Sequence, residues 1–154
     1  KKFSKDSSTD YEMIRHAIEN IKDNYEFIAH IRPTSPLRKI LQLKTALKKF
    51  YTSNCNSLRS VHEMQETSYK TFEIKSGNLR PLRNIKMTID QLNSPRQSFP
   101  KTFIPNGIID IYKKKYVLSN KCLFGKKTKA YITALSHEID TIDDFKYIEF
   151  LWQR

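Results

Sequence analysis

The sequence predicts a single α/β domain built on a mostly parallel sheet. A strand, an amphipathic helix and a second strand follow one another over residues 26–64, and a unit of that kind forces parallel strands joined by a right-handed crossover. An alternating stretch around a Ser-Gly-Asn turn predicts an antiparallel hairpin set apart from that sheet. The 154 residues, 38% hydrophobic with nine Phe and eight Tyr, are enough to bury one core.

Taken in order, TDYEMIRHAIENIKDN has Thr9 and Glu12 at capping-box spacing and Ile14, Ala17, Ile18 and Ile21 on one helical face. Residues 26–31 are nearly all apolar, as in a strand covered on both faces. HIRPTSPLR then places Arg32 and Arg38 around a Pro-Thr-Ser-Pro turn. Ser35 and Pro36 suit the cap and first position of a second helix, running through PLRKILQLKTALKKFYT with Ile40, Leu43, Leu47 and Phe50 on its apolar side. SLRSVHEM reads as the next strand and YKTFEIKSGNLRPL as the hairpin. NSPRQSFPKTFIP, residues 93–105, holds three prolines, which exclude regular structure and predict a long ordered loop presenting Arg96 and Gln97. GIIDIY is a strand, KKKYVLSNK a short helix and KAYITAL another strand. Thr141 and Asp144 cap a final helix, with Phe145, Ile148 and Trp152 turned inward.

Twenty-eight Lys plus Arg against sixteen Asp plus Glu give a net charge of +12, which favours an anionic partner. The charge is dispersed; the densest runs, Lys113-Lys114-Lys115 and Lys126-Lys127, read as solvated faces. Cys55 and Cys122 lie far apart without metal or redox spacing, and both read as buried small apolar groups in a reducing compartment. No apolar stretch approaches the roughly 20 residues that cross a bilayer. The N-terminal KKFSKDSSTD lacks the apolar core of a signal peptide. The expectation is a cytoplasmic chain without a membrane partner.

Glu138 and Asp140, two residues apart in extended geometry, project to one side and suit Mg²⁺ with positions left for water and phosphate oxygens. The competing reading makes them surface acids at a helix N-terminus, where the dipole favours negative charge. Arg32 with Thr34 and Ser35 offers a guanidinium fork and two hydroxyls to a carboxylate or phosphate; alternatively Ser35 caps the helix and Arg38 is solvated. Lys70 and Arg96 are further candidate anion contacts, each beside residues that restrict it. The four histidines show neither metal spacing nor a Ser or Cys partner, so nucleophilic catalysis has no support.

RPTSPLR, SVHEM with YKTFEI, PRQSFPKTFIPNG and EIDTIDDF, taken in order, resemble the successive signatures of the acylneuraminate cytidylyltransferases, the CMP-sialic acid synthetases. The resemblance covers nearly the whole chain, from about Ser7 to Leu151. It implies a Rossmann-like nucleotidyltransferase sheet with a β-hairpin dimerisation arm, residues 66–92, in a partial domain spanning 1–154. It lacks that family's opening strand and Gly-, Ser- and Lys-rich nucleotide loop, so the chain corresponds to the C-terminal two thirds and is expected to be inactive alone.

The family joins CTP to a nine-carbon 2-keto sugar acid, the anomeric hydroxyl attacking the α-phosphate as pyrophosphate leaves. By resemblance, Asp140 is the main Mg²⁺ ligand with Glu138 beside it. Asp140, Arg96 and Lys70 are the catalytic set; Lys70 and Arg96 meet the sugar acid. Arg32, Thr34, Ser35, Gln97, Asn106 and Asp110 bind substrate. The chain departs from the family in having Arg32 where Gln is common, Glu138 where Asp is usual, and Asp110 where an aromatic often stands. The implied setting is surface polysaccharide synthesis by a cytoplasmic homodimer. The alternatives are the related cytidylyltransferase for a 3-deoxy-octulosonic acid, and a non-catalytic basic module that grips nucleic acid, which the dispersed charge disfavours.

Overall fold

The computed structural model describes residues 8–82 and 86–153. Its elements are α1 (Asp10–Asn20), β1 (Phe27–His30), α2 (Ile40–Tyr51), β2 (Ser57–Glu63), β3 (Phe72–Lys75), β4 (Asn78–Pro81), α3 (Ile89–Leu92), β5 (Phe103–Lys113), α4 (Lys114–Asn120), β6 (Thr128–Thr133) and α5 (Ile142–Trp152). Strands β1, β5, β2 and β6 form the central sheet in that order, and β3 pairs only with β4. Strands β1, β2 and β6 share one direction; β5 runs against its neighbours β1 and β2, and β2 pairs with β6 in parallel. The strand–helix–strand unit read from the sequence is therefore present with its two strands parallel, but β5 has been slotted between them.

Each face of the sheet carries its own apolar cluster. Leu58, Ile109 and Ile111 pack with Ala46 and Phe50 of α2 on one side. Tyr112 packs with Ile14 and Ile18 of α1 and Val117 of α4 on the other. Alternation along β5 explains the split, because successive side chains leave a strand on opposite faces. Strand β1 is less enclosed than its composition predicts: Phe27 joins the first cluster and Ile28 the second, yet neither is fully buried, because β1 lies at the edge of the sheet.

The capping boxes at Thr9/Glu12 and Thr141/Asp144 form as expected. The start of α2 does not. The helix begins at Ile40, with the Gln42 side chain accepting from the Lys39 N–H at 2.7 Å, because the Ser35 hydroxyl is engaged elsewhere. Ile40 is exposed, while Ala46 and Phe50 are buried. In α5 only Ile148 is buried; Phe145 and Trp152, expected inward, are exposed, so their periodicity marks a stripe rather than a core face. Residues 93–105 are not devoid of regular structure: a 3₁₀ turn forms at Arg96–Ser98 and β5 already begins at Phe103. Prolines at 100 and 105 are compatible with that, since one precedes the strand and the other sits beside a break in the ladder. Cys55 is buried as expected, but Cys122 is only half-buried, near the Tyr116 hydroxyl. The hairpin turns at Ser76 and Gly77, both in the left-handed region, and residues 83–85 of its expected 66–92 span lie outside the described residues, as do 1–7 and 154 of the expected domain.

Candidate active site

The ladder between β2 and β5 is broken: Arg59 pairs with Asp110, but Val61 pairs with Pro105. Ser60 alone therefore spans the stretch that β5 fills with residues 106–109, a bulge that bends the strand and re-aims its side chains. The Ser60 hydroxyl accepts from the Ile109 N–H at 3.0 Å, standing in for the lost ladder bond. The bulge lies at the edge of the sheet where β1, β2 and β6 all end, the side on which open α/β sheets present ligand sites.

Gly107 is the closest point of approach. It has φ of +59°, and a Cβ there would lie 1.9 Å from Glu138 Oε1, 2.6 Å from Ser35 Oγ and 3.2 Å from Arg32 Cδ. Ser35, almost fully buried, places its hydroxyl 3.1 Å from Glu138 Oε1 and 3.3 Å from the Asn106 carbonyl. Asn106, fully buried, donates from Nδ2 to Thr133 Oγ1 at 2.7 Å and accepts on Oδ1 from the Ile108 N–H at 3.4 Å. The Ile139 N–H donates to the Thr34 carbonyl at 2.8 Å, which pins the acidic segment against the Pro-Thr-Ser-Pro loop.

Beside this centre runs a row of alternating charge. The Arg32 fork meets both oxygens of Asp10, at the first position of α1, and lies 3.9 Å from Asp110, whose other oxygen lies 3.8 Å from Arg59 Nε. The Arg59 guanidinium in turn covers the Phe124 ring at 4.5 Å. Burial pushes the Asp110 carboxyl up, and Arg59 and Arg32 act against it. Burial would also raise Asp10, but the Arg32 hydrogen bond and charge hold its carboxyl below the ordinary value. Arg38 braces the same loop by donating to the Arg32 carbonyl.

A cavity of about 420 Å³ opens further along the edge, lined by Glu63, Thr67, Arg96, Gln97 and Phe99 among others. Arg96 donates from Nη2 to Glu63 Oε1 at 3.0 Å and to the Met64 carbonyl at 2.8 Å. Burial lowers the His62 imidazole at this edge, and the nearby Glu138 carboxylate works in the opposite direction.

Chain segments separated by as many as 103 positions or more thus bring Arg32, Thr34, Ser35, Asn106 and Glu138 into one neighbourhood, and Arg96 and Gln97 into the adjoining cavity. Asp140 is exposed, its N–H donating to Asp144 Oδ2 at 3.2 Å in the cap of α5. Lys70 faces a different cavity, of about 560 Å³, lined by Phe72, Leu79 and Ile89 of the hairpin region; the two cavities share no lining residue. Asp110 lies beneath the site, with its carboxylate turned to the protein's own arginines. Among the described residues no group of three or more His, Cys, Asp or Glu comes together at metal spacing.

No family model matches the chain. It is 29% identical over 151 residues to the N-acylneuraminate cytidylyltransferase of Streptococcus agalactiae serotype III, an alignment covering 94% of this chain and 34% of that protein. The chain is similar to N-acylneuraminate cytidylyltransferases. It spans about a third of the length of these curated relatives. The fold is similar to that of solved proteins: 4-diphosphocytidyl-2C-methyl-D-erythritol synthase from Anaerococcus prevotii superposes with a TM-score of 0.63 at 11% identity, covering 96% of this chain and 68% of that one. A CMP:2-keto-3-deoxy-manno-octonic acid synthetase solved with CTP gives 0.63 at 10% identity, covering 96% and 69%.

Sequence reasoning missed Asp10, Arg59, Glu63 and Gly107. Asp10 looks like an ordinary first-turn acid, and nothing local announces that it reaches Arg32. Gly107 carried a signal, being one of three glycines and following Asn106.

Gly107→Ala is expected to destabilise the fold by about 2 kcal/mol or more, through left-handed backbone and overlap with Glu138. In a Glu138→Ala background the cost should shrink, leaving at least the roughly 1–2 kcal/mol of the left-handed backbone. Urea titration of the four proteins in that cycle measures it; equal costs in both backgrounds would remove the carboxylate from this contact. Asp10→Asn is expected to cost about 1 kcal/mol or less at pH 7, since the pair is partly exposed. A depressed carboxyl stabilises above its unfolded pKa and loses that contribution as pH falls through the folded one, so the difference from wild type should be flat near neutrality and vanish in strong acid. A difference that grows on acidification contradicts the ion pair.

Proposed function

We propose that this chain forms the sugar-acid and metal half of a cytidylyltransferase that couples CTP to a sialic-type, nine-carbon 2-keto acid and releases pyrophosphate. The observation that supports the reading most is convergence: Arg32 and Ser35 of the first signature and Glu138 of the last meet at Gly107 of the third, with Arg96 and Gln97 in the adjoining cavity. Similarity to N-acylneuraminate cytidylyltransferases over 94% of the chain supports the substrate class.

In this reading Arg96 binds the sugar acid through its carboxylate and Gln97 and Asn106 shape the same pocket. Lys70, on the hairpin side, belongs to the catalytic set as a further cation. Thr34 and Ser35 form the loop wall, and Ser35 orients Glu138. Arg32 supplies positive potential next to the reacting phosphate, with Asp110 holding it from below. The anomeric hydroxyl attacks the α-phosphate and pyrophosphate leaves, so negative charge builds on phosphoryl oxygens that Arg32 would stabilise.

Mg²⁺ is proposed to sit at the acidic pair. Glu138 has one oxygen beside Ser35 and Asp140 is exposed, and two carboxylates with room for water and phosphate oxygens are what this hard cation accepts. Glu138 and Asp140 would hold it, and bound there it would neutralise charge on the phosphoryl oxygens.

The chain is further proposed to act as a homodimer in a cytoplasmic setting. Ile74 and Leu79 of the hairpin and Ile142, Phe145 and Trp152 of α5 are exposed apolar side chains, the kind of surface that association covers.

Calorimetric titration of the chain with N-acetylneuraminate and with a 3-deoxy-octulosonic acid tests the substrate class. Binding of the first with loss of about tenfold or more in affinity in Arg96→Met is expected, since a charge-assisted bond is lost. Supplied with the nucleotide half of a relative, the chain should release pyrophosphate from CTP only with Mg²⁺; absence of both binding and release with folded protein would refute the reading. Light scattering should return twice the chain mass, and Leu79→Glu should halve it; a monomer at all concentrations would exclude the dimer.

A further inference from the structure

The Arg96 cavity contains a second cation that the functional reading leaves without a role. Glu63 closes β2, and its two oxygens are divided between partners: Oε1 accepts from Arg96 at 3.0 Å, and Oε2 from Lys101 Nζ at 2.8 Å. The side chains are 35% exposed for Glu63, 46% for Arg96 and 72% for Lys101, and ion pairs that open to solvent add little to stability. The three nevertheless line one cavity with Gln97, Phe99 and Thr102. Held at Nη2 by both Glu63 and the Met64 carbonyl, the Arg96 fork keeps Nη1 and Nε for an incoming pair of oxygens. Lys101 keeps its remaining ammonium donors.

We propose that Lys101 is a substrate-binding residue and Glu63 a positioning residue of this anion seat: Glu63 aims Arg96 and Lys101 together at the carboxylate of a 2-keto sugar acid. The proposal rests on the reading of the chain as the sugar-acid half. The Lys101 hydrogen bond, more than the other contacts, holds the Glu63 carboxyl below its ordinary value.

Two roles for Glu63 give opposite signs for Glu63→Gln. An acid that merely stands beside the seat opposes an anion, so its removal makes the local potential more positive and strengthens binding. An acid that aims two long cationic side chains spares the substrate the cost of ordering them, so its removal weakens binding.

Titration calorimetry of the full chain with N-acetylneuraminate, at low and high salt, separates them. Glu63→Gln is expected to weaken binding about three- to tenfold, the cost of one or two unrestrained side chains, with a melting temperature within about 2 °C of wild type. Lys101→Gln should weaken binding similarly and flatten its salt dependence, Glu63→Asp should recover part of the loss, and Glu63→Gln should matter less in the Lys101→Gln background. If wild type binds while Glu63→Gln binds equally or more tightly, or Lys101→Gln changes nothing, the proposal is overturned and the functional reading stands. If wild type does not bind N-acetylneuraminate at all, the functional reading fails and takes the proposal with it.

Discussion

The insertion of β5 between β1 and β2 is the constraint on which the rest of the structure depends. It is the strand paired on both sides against its own direction, and its buried run supplies Ile109 and Ile111 to one core and Tyr112 to the other. The ladder of the same strand is interrupted before it resumes at Pro105, and where it breaks it delivers Asn106 and Gly107 to the edge. The packing that stabilises the sheet and the irregularity that shapes the site are thus two stretches of one segment.

Electrostatics at that edge follow a consistent pattern. Several cations near the site are paired with acids of the same chain: Arg32 with Asp10 and Asp110, Arg59 with Asp110, and Arg96 and Lys101 with Glu63. Partly exposed guanidinium and ammonium groups are costly to hold in fixed geometry without such partners, because long side chains carry much rotamer freedom. Net charge alone, spread over many lysines, would provide attraction without direction.

The local elements were legible in the sequence because their causes are local. Thr9/Glu12 and Thr141/Asp144 cap helices through groups three residues apart, and the alternation around Gly77 makes a hairpin wherever it is placed. What could not be read depends on distant partners. Ser35 looks like a helix cap until Asn106 and Glu138 engage its hydroxyl, and Arg32 looks like a free fork until Asp10 arrives from a helix that precedes it. Phe145 and Trp152 have core-like spacing, but spacing cannot tell a face that meets this chain's own core from one that does not. The segments around Arg96, Asn106 and Glu138 come together at one edge of the sheet, whereas Lys70, on the hairpin side, shows that sequence order does not establish which cavity a side chain enters.

The position of β1 has a practical consequence. Among the described residues it is bonded along one side only, it is short and apolar, and neither proline nor lysine interrupts it from Phe27 to His30. An open row of main-chain donors and acceptors of this kind is a template for further sheet growth. Concentrated preparations of the isolated chain would therefore face a colloidal hazard that repulsion from a high positive charge restrains, and raising the ionic strength to weaken non-specific contacts would remove that restraint.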